Sequence, residues 1–207
     1  MATVELPEPD PDGSTSVERA IAKRASRRSF AQTPVTLEDV SQLLWAAQGT
    51  THVRDGVEMR AAPSAGATYP LTAFLEVTED GASRLDPGLY RYDPDSHALE
   101  TELETSIRGE LTTAALGQDV VRDAPATIVL AAHAERTRTQ YPDHGERYVH
   151  MEAGHAAANV HLVCESRELN TCPVGAFSDA DVAAVLGLPE RLDPLYLLPF
   201  GRRPAET

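Results

Sequence analysis

Apolar residues recur at helical spacing along much of the chain. Leu37, Val40, Leu43, Leu44 and Ala47 fall on one face of a helix that opens at Thr36-Leu37-Glu38-Asp39 and closes at Gly49. The threonine with an acidic residue three positions on is a capping box, in which each side chain satisfies a free backbone N–H of the other. A weaker pattern, Val17, Ala20, Ile21 and Ala25, follows Thr15-x-x-Glu18 and should stop near Ser26-Arg27-Arg28-Ser29-Phe30. A further helix fits 106–116. Ser178 caps a short one through Leu186, with Gly187 placed to end it. The longest pattern runs from Gly145 to about Leu169, with Asn170 as its C-terminal cap.

Strands announce themselves differently. Leu71–Val77 is apolar and bounded by turn residues. The stretch Gly88–Leu103 reads as a hairpin around Asp93-Pro94-Asp95-Ser96. Residues 124–132 are continuously apolar and rich in β-branched side chains, as expected of a strand covered on both faces. Residues 195–200 supply a last strand, and 50–59 reads as a polar loop. Helices and hairpins mix without strict βαβ alternation. The expected class is therefore α+β, with a mixed or antiparallel central sheet flanked by helices. Residues 1–14 are acidic and proline-rich and read as a flexible tail; 15–207 read as one domain.

The long helix carries two apolar faces. Val149, Ala153, Ala156, Val160 and Val163 form one, and Met151, Ala158 and Leu162 the other. Such a helix is central or lies at a subunit interface. Tyr148, Glu152, His155 and Asn159 run between the faces, either as a solvated stripe or as a row lining a pocket.

Composition narrows the function. Asp and Glu number 32 against 18 Lys and Arg, a net charge of -14, and Lys23 is the one lysine. Nucleic-acid binding is disfavoured, because it needs a basic surface. A carboxylate-rich, lysine-poor surface suits a high-salt environment, where ions screen the self-repulsion. An ordinary acidic protein with an arginine-biased composition is the alternative. No run is apolar enough to span a bilayer, and the N-terminus has neither a basic region nor an apolar core, so the expectation is cytoplasmic. Cys164 and Cys172 stand in no paired motif and read as buried free thiols.

Glu152-x-x-His155 has the spacing of a metal-ligand pair, but no second such pair exists on another helix. Gly-x-Ser-x-Gly, Gly-x-Gly-x-x-Gly and the phosphate-binding P-loop are absent from the sequence. What remains is a phosphate pattern. Lys23, Arg24, Arg27, Arg28 and Ser29 cluster at the end of one helix, and Arg202 and Arg203 follow the last strand. Guanidinium groups bind phosphate through forked, charge-assisted hydrogen bonds. Two turns, Pro63-Ser64-Ala65-Gly66 and Pro173-Val174-Gly175-Ala176, leave the backbone nearly bare. A flat ring with a phosphate tail would use both features.

In this combination and order, "RASRRSF", "LEDVSQLLWAAQGTT", "RAAPSAGATYPL", "GQDVVRDAPATIVLAA", "EAGHAAANVHLVCESRELNTCPVGAF" and "LYLLPFGRRP" resemble the nitroreductase family of FMN-dependent oxidoreductases, and within it the SagB-type dehydrogenases. The resemblance covers about residues 16–204. It implies a nitroreductase-like fold and an obligate homodimer, with the long helix and FMN at the dimer interface. It also implies roles: Arg27, Arg28 and Ser29 at the phosphate and ring, and Pro63, Ser64, Ala65 and Gly66 packed on the flavin of the partner. Gln118 would meet the pyrimidine edge, and Pro173, Val174, Gly175 and Ala176 would bring a backbone N–H to flavin N5. Relatives often carry a basic residue two positions after the serine. Here Ala31 stands there, so one phosphate or flavin contact is either missing or supplied elsewhere, by Arg202 or Arg203.

SagB-type relatives oxidise azolines to azoles with a Lys-Tyr pair. Arg147-Tyr148 occupies the comparable place, and arginine does not shuttle protons. Tyr148 is thus the expected acid/base residue. A reductase of nitro compounds or quinones that uses NAD(P)H is the alternative activity. A non-catalytic flavin-binding dimer with the same fold is the alternative from another class.

Overall fold

A computed structural model describes residues 2–205. A seven-stranded sheet forms its centre: β1 (Thr3–Glu5), β4 (Leu71–Val77), β5 (Gly88–Asp93), β6 (Ala98–Leu103), β7 (Ala126–Ala132), β8 (Leu169–Thr171) and β9 (Asp193–Arg202). The order across the sheet is β1-β6-β5-β4-β7-β9-β8, and every paired neighbour is antiparallel. The α+β expectation holds, and of its two sheet alternatives the antiparallel one is found.

Helices cover both faces. α2 (Leu37–Gln48) and α6 (Gly145–Ser166) pack against one face, where Ile128, Leu130, Leu44, Ala156 and Val160 share a core. α3 (Arg108–Ala114), α4 (Asp119–Arg122) and α7 (Asp179–Leu186) cover the other, with Val129, Ala131, Leu111, Val121 and Val182. This explains the continuous apolar run in β7, which is buried at every residue. Cys164 and Cys172 are buried free thiols within these two layers, as expected.

Several local readings hold and several shift. The α2 capping box is present: Thr36 Oγ1 accepts from Asp39 N–H, and Asp39 accepts from Thr36 N–H. Gly49 ends α2 without a left-handed turn; a Cβ there would lie 2.3 Å from Trp45 Cδ1, so close approach demands the glycine. α1 (Val17–Lys23) is capped by Ser16, one residue after the expected Thr15, and only Ala20 of its apolar residues is buried. α6 ends at Ser166 because the chain turns at Glu168, whose φ is +56°; Asn170 therefore belongs to β8 and is not the cap.

Two segments expected to lack structure are ordered. Residues 50–59 fold into a hairpin of β2 (Thr50–Arg54) and β3 (Val57–Arg60), turned at Asp55-Gly56 with φ of +54° and +80°. Asp-Gly is the favoured pair for such a turn, because both residues must enter the left-handed region. The N-terminal stretch, read as a flexible tail, pairs Thr3–Glu5 with β6. It then crosses α2, where Asp10 N–H donates to Gln42 and Ser41 donates to Pro7 O.

Candidate functional site

The segment after α1 runs beside the ends of β8 and β9. Arg27 N–H donates to Thr171 O, Asn170 Nδ2 donates to Ser29 O, and Ala31 N–H donates to Arg202 O. These bonds draw Arg27, Arg28 and Ser29 alongside Arg202 and Arg203, joining clusters that lie far apart in sequence. Arg28 and Ser29 are exposed, and Arg27 is half-buried.

Two buried carboxylates organise the cluster, and sequence reasoning missed both roles. Glu165, on the last turn of α6, accepts at one oxygen from Arg27 Nη1 at 2.6 Å and from Arg203 Nη2 at 3.2 Å. Asp39, already committed to the α2 cap, takes Arg167 Nε at 2.8 Å and Arg202 Nη2 at 2.5 Å. Arg202 is thus drawn into the helix cap, whereas Arg203 is paired with Arg27. Nearby, Arg24 Nη1 lies 3.4 Å from His161 Nδ1, and burial with the adjacent arginines holds this imidazole below its ordinary pKa. A cavity of about 530 Å³ opens beside the cluster, lined by Lys23, Arg19, Arg167 and Arg203 among others.

The second expected turn leaves β8 directly. Val174 is buried and its backbone is taken on both sides by Leu197, at 2.8 and 3.0 Å. Gly175 and Ala176 are exposed, and their N–H groups have no backbone partner among the described residues. Pro173 is half-buried at the start of the turn. Gln118 reaches the turn from the N-terminus of α4: its Nε2 donates to Ala176 O at 2.7 Å and to Ala115 O at 3.0 Å. The arginines, Ser29, the 173–176 turn and Gln118 therefore lie around one edge of the sheet.

Pro63, Ser64, Ala65 and Gly66 lie elsewhere. Their turn is held by α5 (Glu135–Gln140) and the first half of α6. Thr68 Oγ1 bonds Thr137 Oγ1 at 2.8 Å, and Arg136 Nη1 donates to Tyr69 O. Ser64 Oγ accepts from Tyr69 N–H and faces Glu152. Gly66, Ala67 and Tyr69 all take left-handed φ, of +60°, +52° and +43°. Such a concentration of strained backbone is characteristic of functional loops. The space a Cβ would take at Gly66 is filled by the Gln140 amide, at 2.3 Å. Gln140 is exposed, so the bare face of the turn meets a solvent-facing polar side chain of the same subunit.

This second centre holds its own titratable groups. Burial pushes the Glu152 carboxyl up to about 7, against the opposing effects of the Ser64 hydrogen bond and the Arg60 charge. Glu152 Oε1 has no partner among the described residues. Arg60 donates to Gln48 Oε1 and stacks over the Tyr69 ring at 4.8 Å. Tyr148, one turn before Glu152, is half-buried against Tyr141 and His144. The expected polar row along α6 is divided: Glu152 is buried, Asn159 donates to Ala46 O and Ala61 O, and His155 is exposed.

The separation of the two centres follows from the helix. Ser64 faces Glu152, and Arg27 binds Glu165, thirteen residues further along α6. At about 1.5 Å per residue that is roughly 20 Å. Between them α6 exposes Gly154, His155 and Ala158.

Known proteins share this fold. The Nitroreductase family model matches residues 21–202. A Methanocaldococcus jannaschii protein, provisionally named a nitroreductase, is 39% identical over 201 residues, which is 97% of this chain and 98% of that protein. A crystal structure of a provisionally assigned Ralstonia eutropha nitroreductase superposes with a TM-score of 0.83 at 30% identity, covering 99% of this chain and 90% of that one. The NADPH:FMN oxidoreductase of Vibrio harveyi, solved with NAD+, shares the fold at a TM-score of 0.65 and 21% identity, over 91% of this chain and 69% of that one. With family profile, near-full-length relative and fold in agreement, the chain belongs to the nitroreductase family and is an oxidoreductase.

Proposed function

We propose that the protein is an FMN-dependent oxidoreductase whose site is completed by a second copy of the chain. The observation that carries this reading is the gathering of Arg27 and Arg203 on Glu165 at the start of β8, the edge strand whose far end leads into the turn where the Gly175 and Ala176 N–H groups have no backbone partner among the described residues. The residues fit the cofactor. Paired guanidinium groups suit a phosphate monoester. Exposed N–H groups on a turn without bulky side chains suit the edge of a flat ring. Gln118 orients that turn through Ala176 O.

The two-electron chemistry is the flavin's, centred on N5. The protein supplies binding and polarity. The N–H groups of Gly175 and Ala176 would stabilise negative charge on a bound flavin, and Gln118, whose Nε2 donates to Ala176 O and Ala115 O, would offer the pyrimidine edge its Oε1. In this reading Pro63–Gly66, held by the opposite half of α6 from Glu165, pack on the partner's flavin. Tyr148, on the same half of α6, is then the acid/base residue nearest that flavin. NAD(P)H is the proposed electron donor and a small organic molecule the acceptor; the name of the Vibrio harveyi neighbour, NADPH:FMN oxidoreductase, supports this choice. We further assign the acidic, lysine-poor surface to a high-salt cytoplasm. Among the described residues no helix is long and apolar enough to cross a membrane.

The test is a visible spectrum of protein purified in high salt, with the released cofactor identified by mass. Flavin bands with about one FMN per chain, bleached by NAD(P)H and restored by an acceptor, are expected. Colourless protein that takes up no added FMN refutes the assignment. Bound flavin that does not turn over would instead indicate a flavin-binding protein without catalysis.

A further inference from the structure

We infer that Glu165 is a positioning residue that sets the arginine pair Arg27 and Arg203 for a phosphate monoester and so determines selection of FMN over riboflavin. The inference rests on the flavin reading above.

Two guanidinium groups brought together repel one another, and each carries several rotatable bonds. Left alone they would separate into solvent. Glu165 prevents this from a buried position, its side chain only 4% exposed. A single oxygen, Oε2, accepts from both arginines. Each guanidinium is fixed by further bonds. Arg27 Nη2 donates to Lys23 O at 3.1 Å; Arg203 Nε donates to Asn170 Oδ1 at 3.2 Å and Nη2 to Leu169 O at 3.5 Å. A guanidinium offers five N–H groups, so both retain donors beyond those used within the chain. Two cations sharing one carboxylate leave a net positive charge, which a phosphate can use.

The neighbouring carboxylate does not do the same work. Asp39 also receives two arginines, but it accepts from Thr36 N–H and Thr36 Oγ1 as well. Its role is closure of α2, and Arg202 is held there. Ala31 likewise gives only its backbone N–H, to Arg202 O. The phosphate recognition that Ala31 and Arg202 do not supply thus falls on the pair that Glu165 holds.

The experiment compares FMN and riboflavin affinities, read from quenching of flavin fluorescence at fixed salt, for wild type, Glu165→Gln and Glu165→Asp. Wild type should bind FMN more tightly. Glu165→Gln should weaken FMN about tenfold or more while riboflavin changes less than about twofold, because a neutral amide no longer holds two cations. Glu165→Asp keeps the charge but loses reach and should fall between. Riboflavin binding reports that each variant is folded. If Glu165→Gln fails to fold, the aspartate variant carries the test by the same criterion. Unchanged or increased discrimination in the variants overturns the role of Glu165 alone. Wild type that binds both flavins equally overturns the phosphate placement beneath it, and wild type that binds neither overturns the flavin reading. Loss of riboflavin binding in both variants makes Glu165 a folding residue and also overturns the inference.

Discussion

Glu152 shows what burial does to a carboxylate one of whose buried oxygens finds no partner among the described residues. Its pKa rises from 4.5 to about 7 because ionisation in the protein interior is costly, and Glu76 rises to about 7 for the same reason. A raised folded-state value means that the folded protein holds the proton more tightly than the unfolded chain. The associated stability is fully present below pH 4.5 and is lost as pH rises through 7. Glu152→Gln should therefore gain stability relative to wild type as pH moves from about 5 to about 8. Denaturant unfolding at the two pH values checks this, and parallel changes in both proteins would contradict it. At this scale the sequence was half legible. Arg27 and Arg203 stood out as rare cations in an acidic chain. Glu165 did not, because nothing in sequence brings position 165 to both 27 and 203.

At the scale of elements, local chemistry was read well wherever it was self-contained. The Thr36–Asp39 box, the β5–β6 hairpin, the Ser178 cap and Gly187 all lie where short-range rules put them. The misses have physical causes. The Asp55-Gly56 turn carries its own signal, but the flanking strands are largely exposed and lack the apolar alternation that marks a half-buried hairpin. The N-terminal strand is polar and owes its order to pairing with β6. Asp39 joins element to site, since it caps α2 and holds Arg167 and Arg202. Asp39→Ala removes the reciprocal half of the capping box and strands two partly buried arginines, and should cost about 3 kcal/mol or more by denaturant unfolding. A loss below about 1 kcal/mol would mean that the arginines find other partners. Gly66→Leu forces a large side chain into the left-handed region and displaces Gln140. It should abolish flavin retention in a chain that still folds; undiminished flavin would place the turn away from the ring.

The whole molecule adds charge and symmetry. With a net charge of -14 and few cations to offset it, self-repulsion opposes compaction until salt screens it. The unfolding temperature should climb steadily as KCl rises from about 0.1 M to about 2 M; a flat or falling trend would contradict the salt-adapted reading. Symmetry concerns the two centres on α6. Their separation of roughly 20 Å was not legible in sequence, because both turns look equally ready for a ring until the helix between them is measured.

That separation makes the central claim testable by mixing subunits. One chain would carry Arg27→Ala with Arg203→Ala, the other Gly66→Leu, each with its own affinity tag so that mixed dimers can be isolated. In a mixed dimer the intact arginines of one chain face the intact turn of the other at one site, while both defects fall together at the second. Flavin absorbance should show about one FMN per mixed dimer and almost none in either parent homodimer. Mixed dimers as empty as their parents would mean that each site is built within a single chain, and the shared-site account would fail.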